Sequence, residues 1–112
     1  MIEVKIQRAP DGLVEHFEAT GHAGFARKGK DIVCSAVTAV LFTAVGYAES
    51  VYNPEEKAEL VSYKESDGHL VWNCPELDSE QRKQLKPVFD AMVLGLHQIR
   101  ENTGNRYLEV FD

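Results

Sequence analysis

A chain of 112 residues holds one hydrophobic core and is too short for two, so residues 1–112 are expected to form a single domain, with any active site on it or between identical copies. Hydrophobic residues at 44% and charged residues at 27% give the balance of a globular protein and exclude a disordered or fibrous one. The formal charge of −6 has the wrong sign for affinity drawn from phosphates, which argues against direct nucleic-acid binding.

The opening Met1-Ile2-Glu3-Val4-Lys5 shows no export signal, so a cytoplasmic location is expected. Ile2, Val4 and Ile6 alternate with polar residues, Pro10-Asp11-Gly12 turns the chain, and Leu13 to Thr20 returns it; this pattern predicts an antiparallel hairpin. Residues 21–31, Gly-His-Ala-Gly-Phe-Ala-Arg-Lys-Gly-Lys-Asp, have no periodicity and read as a mobile loop. From Ile32 to Ala48 no residue is charged, and Glu49 and Asn53-Pro54 end the run. A helix apolar nearly all round must be buried. Its length is at the lower limit for a membrane span, and Ser35, Thr38, Thr43 and Gly46 oppose one. One small domain cannot cover such a helix on every side, so its second face is expected against a two-fold copy in a homodimer.

Ala58 to Lys64 and His69 to Asn73 flank Asp67-Gly68 and predict a second hairpin, with Tyr63 and Trp72 suited to a pleated, half-buried surface. Leu85, Val88, Phe89, Met92, Val93, Leu96 and Ile99 recur at helical spacing, with Ser79 as N-cap and Thr103-Gly104-Asn105 as the stop. Pro87 either kinks this helix or marks its start. Arg106 to Phe111 alternates and completes the order strand, strand, helix, strand, strand, helix, strand. The expected fold is α/β of the two-layer α+β kind, a sheet with two helices packed on it.

Chemistry concentrates between the first hairpin and the apolar helix. Asp31 has the side chain of an N-cap, which places Cys34 in the first helical turn. The positive end of the helix favours a thiolate there, while the Asp31 carboxylate works against it. His22, twelve residues earlier in a loop that returns to the helix, can reach the sulfur as general base. Gly21, Gly24 and Gly29 allow close backbone approach to a bound peptide and closure of the loop, and amides near Cys34 are candidates for an oxyanion site. The residues alone also fit a plainer reading, in which Cys34 packs inertly and His22 is solvated.

Gly21-His22-Ala23-Gly24, followed by Gly29-Lys30-Asp31-Ile32-Val33-Cys34-Ser35-Ala36-Val37 and Thr38-Ala39-Val40, resembles the ribosomal-processing cysteine protease family, Prp. The resemblance spans the chain in length and element order, and its specific part is the Gly-His to Cys segment. It implies a cysteine endopeptidase that removes the N-terminal extension of the twenty-seventh large-subunit ribosomal protein of bacteria. It further implies Cys34 as nucleophile, His22 as base, Gly21 and Asp31 in support, and a dimer. Where the family favours serine four residues after the nucleophile, this chain carries Thr38 on the same helix face, so a hydroxyl is kept. Asp31 is open to two roles, orienting His22 as a third catalytic member or capping the helix. Gly24, Phe25, Gly29 and Lys30 form the loop expected to meet the substrate.

Rival readings are weaker. Gly24 to Asp31 is one residue from a phosphate-binding P-loop, but Asp31 sets a carboxylate where a Ser or Thr hydroxyl must bind magnesium. His22, Cys34, His69 and Cys74 lack the close ligand pairs of a zinc site, so no metal or other cofactor is expected. Cys34 and Cys74 are expected as free thiols in a reducing compartment. His16, His69, Cys74 and His97 read as structural. The alternative from another class is a non-catalytic module that docks on a ribosomal protein or precursor through Arg27, Lys28 and Lys30, with Cys34 merely buried.

Overall fold

The computed structural model describes residues 1–27, 31–53, 61 and 63–112. Among them the order of elements is β1 (Ile2–Arg8), β2 (Val14–Thr20), α1 (Ile32–Tyr52), β3 (Tyr63–Ser66), β4 (His69–Asn73), α2 (Ser79–Thr103) and β5 (Leu108–Phe111). This is the expected alternation. The strands form one sheet in the order β3-β4-β2-β1-β5, antiparallel except for the β1–β5 pair.

The period of two in β1 turns Ile2, Val4 and Ile6 to one face, where all three are buried. A register shift at Gln7/Arg8 sets Arg8 opposite Val14, so that Val14 joins Phe17 and Ala19 on the same face. Both helices cover this side. Their buried stripes share one core cluster with Trp72, which stacks on Phe17 at 6.1 Å and meets Phe89 of α2 at 4.2 Å between ring centroids. The helices approach closely at Gly95, where a β-carbon would lie 3.2 Å from Val40 Cγ1.

Three details differ from the reading of the sequence. Helix α1 continues past Ala48 to Tyr52, because Glu49 and Ser50 fall on its exposed side while Tyr52 is buried and donates its hydroxyl to the Gln81 carbonyl at 3.1 Å. Helix α2 is capped by Asp78 rather than Ser79; the Asp78 carboxylate accepts from the Gln81 N–H, and the Gln81 side chain accepts from the Asp78 N–H. Pro87 therefore lies inside the helix and does not start it, and the Lys83 carbonyl that loses its partner is on an exposed residue. Of the strand expected from Ala58, residues Ala58, Glu59, Leu60 and Ser62 lie outside the described residues, and β3 begins at Tyr63.

The expectation that α1 is buried on all sides does not hold within one chain. Val33, Val37, Leu41, Ala44, Val45, Ala48 and Tyr52 are buried, but Ile32 is 64% exposed, and Tyr47 and Val51 are also exposed. By length and composition alone α1 could cross a membrane, yet its buried stripe belongs to the same core as the sheet.

Candidate active site

The C-terminal end of β2, the N-terminus of α1 and the turn between β3 and β4 converge on a cleft of about 710 Å³. Pairing decides this convergence. Thr20 of β2 faces His69 of β4, and the Gly21 N–H donates to the Gly68 carbonyl at 2.8 Å, so the β3–β4 turn is held beside the residue that follows β2. Gly21 has φ +92, and a β-carbon there would lie 2.4 Å from the Met1 carbonyl oxygen. Only glycine fits that crossing.

Asp31 is the buried charged residue among those described, at 6% exposure. Its Oδ1 accepts from the N–H groups of Val33 and Cys34, each at 3.0 Å, which is the N-cap expected for α1. Its Oδ2 accepts from the Phe25 N–H at 3.0 Å and the Ala26 N–H at 3.4 Å. One carboxylate thus ties the loop to the helix. Burial pushes the carboxyl up, but these four donors together hold it below its ordinary value. Among the described residues Asp31 makes no hydrogen bond to His22, so of its two open roles the geometry is that of the cap.

Cys34 is half-buried and lines the cleft; its Sγ accepts from the Ala23 N–H at 3.2 Å. The amides of Val33 and Cys34, candidates for an oxyanion site, are already engaged by Asp31. The amide that faces the sulfur belongs to Ala23. His22 lines the same cleft, with its Nε2 4.0 Å from Asp67 Oδ1. Gly24 and Thr38 also line it, Thr38 one turn beyond Cys34, and Val37, Leu41 and Phe42 form an apolar floor.

His22, Cys34, Gly21, Asp31, Thr38 and Gly24 are therefore brought together. Phe25 is not on the wall of the cleft; its ring meets Tyr107 edge-on at 5.2 Å. Gly29 and Lys30 lie outside the described residues, as does Lys28. Ala23 and the Asp67-Gly68 turn were not expected at the site. Ala23 carries no chemistry in its side chain, and the turn reaches the cleft only through strand pairing.

Cys34 and Cys74 are both free thiols. Cys74 lines a separate hollow with Glu15 and Arg82. Burial pushes its thiol up, and Asp11 and Glu15 add to that against the opposing Arg82. His16 Nδ1 and Asn73 Oδ1 are 2.7 Å apart across β2 and β4, and His69 Nε2 is 3.3 Å from Glu18 Oε1.

The model of the family described as cysteine protease Prp matches residues 1–108. A ribosomal processing cysteine protease Prp of Bacillus subtilis is 36% identical over 103 residues, covering 91% of this chain and 89% of that protein. Its counterpart in Mycoplasma genitalium is 55% identical over 46 residues, covering 41% and 42%. The crystal structure of the Staphylococcus aureus ribosomal processing protease Prp with a covalently linked product peptide shares the fold, with a TM-score of 0.76 at 24% identity over 99% of this chain and 98% of that one. A Streptococcus mutans structure superposes with a TM-score of 0.73 at 26% identity, covering 99% and 92%.

Proposed function

Because the chain belongs to the cysteine protease Prp family, we propose that it removes the N-terminal extension of a large-subunit ribosomal protein, the twenty-seventh, with Cys34 as nucleophile and His22 as base. The observation that carries this reading is the Cys34 sulfur, which opens on the cleft it shares with His22 and accepts a hydrogen bond from the Ala23 N–H.

His22 takes the thiol proton, and the Cys34 sulfur attacks the carbonyl carbon of the scissile bond. As the sulfur lone pair becomes the new C–S bond, charge moves to the carbonyl oxygen, and the Ala23 N–H, which donates to the sulfur beforehand, shifts to that oxygen. Collapse expels the amine of the mature protein, which takes the proton from His22 and leaves the extension as a thioester on Cys34. Water, deprotonated by His22, then hydrolyses the thioester and releases the extension with a free carboxylate. Asp31 keeps the loop against the helix so that the Ala23 N–H stays on the sulfur. Thr38 and the apolar floor bound the path of the peptide.

The enzyme works in the cytoplasm, where ribosomal precursors are made, and as a homodimer that covers the outer face of α1. That face is supported as an interface by exposed Ile32, Tyr47 and Val51. The test is incubation of the extended precursor with the unmodified protein and with Cys34→Ala, reading product masses. The expected result is one defined new N-terminus with the unmodified protein and at least about a thousand-fold slower release with the variant. Binding of the precursor by both forms without cleavage would instead support a non-catalytic docking module.

A further inference from the structure

The His22 side chain is 56% exposed, yet a general base must present one nitrogen to the sulfur in a fixed orientation. What holds it is not Asp31, whose oxygens are taken by backbone amides. The candidate is the turn between β3 and β4. Gly68 sits there with φ +66, and a β-carbon at this position would lie 2.7 Å from His22 Nε2 and 3.3 Å from both Cδ2 and Cε1. The imidazole therefore rests on the bare backbone of Gly68. The same turn brings Asp67 Oδ1 to 4.0 Å from Nε2, and the Gly21 N–H to Gly68 carbonyl bond fixes the turn to the residue preceding the imidazole.

We infer that the Asp67-Gly68 turn is the seat of His22, with Gly68 as its positioning residue: it receives the Nε2 edge of the ring and leaves Nδ1 as the nitrogen to take the Cys34 proton. The inference rests on His22 serving as the base. At 4.0 Å the Asp67 carboxylate is beyond hydrogen-bond reach of Nε2, but its charge on that side favours the neutral tautomer with the N–H on Nε2 and the free lone pair on Nδ1. Gly68 supplies two things at once, a left-handed backbone and the absence of a β-carbon. A methyl group at position 68 meets the end of a side chain rather than backbone, so the fold can accommodate it by moving the imidazole. The base is displaced while the protein stays folded.

The test compares Gly68→Ala with Gly104→Ala. Gly104 has φ +93, lies at the end of α2, and has open space where a β-carbon would go, so its substitution reproduces the backbone penalty without the steric conflict. Both variants are expected to lose a similar amount of Tm, about 5 °C. Only Gly68→Ala is expected to lose roughly ten- to a hundred-fold in kcat for precursor cleavage, with KM within about two-fold. The ring 15N resonances of His22 supply a readout independent of cleavage. They should report the Nε2-protonated tautomer in the unmodified chain and in Gly104→Ala, and a changed or averaged tautomer in Gly68→Ala. Unchanged His22 resonances in Gly68→Ala, or equal kcat losses in the two variants, would overturn the seat. Failure of the unmodified chain to cleave would count against the protease reading alone, since the resonances would still decide where the imidazole rests.

Discussion

Asp31 and Ala23 hold the Cys34 segment through backbone hydrogen bonds, Asp31 by accepting from the Val33 and Cys34 N–H groups and Ala23 by donating its N–H to the sulfur. The depressed carboxyl of Asp31 has a signed consequence: its contribution to stability is present above the ordinary carboxylate pKa and is lost as pH falls through its own lower value. Asp31→Ala removes the cap and the tie to the loop together, and about 1–2 kcal/mol is expected from the cap alone, measured by urea unfolding. Asp31→Asn keeps an acceptor for Val33 and Cys34 but turns an amide donor toward the Phe25 and Ala26 N–H groups. It should therefore lose kcat more than stability, and its unfolding should no longer carry the acid dependence of Asp31. Gly21→Ala drives a β-carbon into the Met1 carbonyl and strains a left-handed residue, with an expected cost of about 1–3 kcal/mol and a lowered Tm by calorimetry. Near neutral pH iodoacetamide should label Cys34 before Cys74, because burial and the neighbouring acids hold Cys74 as the unreactive thiol. Equal labelling rates would contradict that assignment.

At the scale of the elements, periodicity carried most of the information. Both hairpins and both helices were legible because alternation and three-to-four spacing follow directly from which face is buried. The exact ends were decided by chemistry that competes locally. Asp78 and Ser79 are both good caps, and Gln81, three residues after Asp78, completes the reciprocal pair that selects Asp78. Asp78→Ala should accordingly cost about 1 kcal/mol in urea unfolding, whereas Ser79→Ala should cost little. The extension of α1 to Tyr52 follows from a stripe that resumes beyond two exposed polar residues, a pattern hidden by the all-apolar stretch before it. Strand order was not legible. The parallel pairing of β5 with β1 and the Thr20 to His69 register depend on contacts far apart in sequence, and that register is what delivers the Asp67-Gly68 turn to the cleft. Of the candidate site, the His22 and Cys34 segment was readable from a local motif, whereas the Ala23 amide was not, because a backbone donor leaves no mark in side-chain identity.

For the whole molecule, the sheet and α2 cover one side of α1 and leave Ile32, Tyr47 and Val51 toward solvent. For the proposed homodimer, Val51→Glu is expected to shift sedimentation from dimer to monomer, since burying an unpaired charge costs more than the apolar contact it replaces. A monomeric unmodified chain would contradict the proposed dimer. In the proposed reaction Cys34 carries the extension as a covalent intermediate, and acid-quenched intact-mass spectrometry during precursor turnover tests this step. The expected result is a chain heavier by the mass of the extension less one water, with the adduct mapped to Cys34 and absent from Cys34→Ala. Steady cleavage that persists in Cys34→Ala, with no adduct on the unmodified chain, would contradict it.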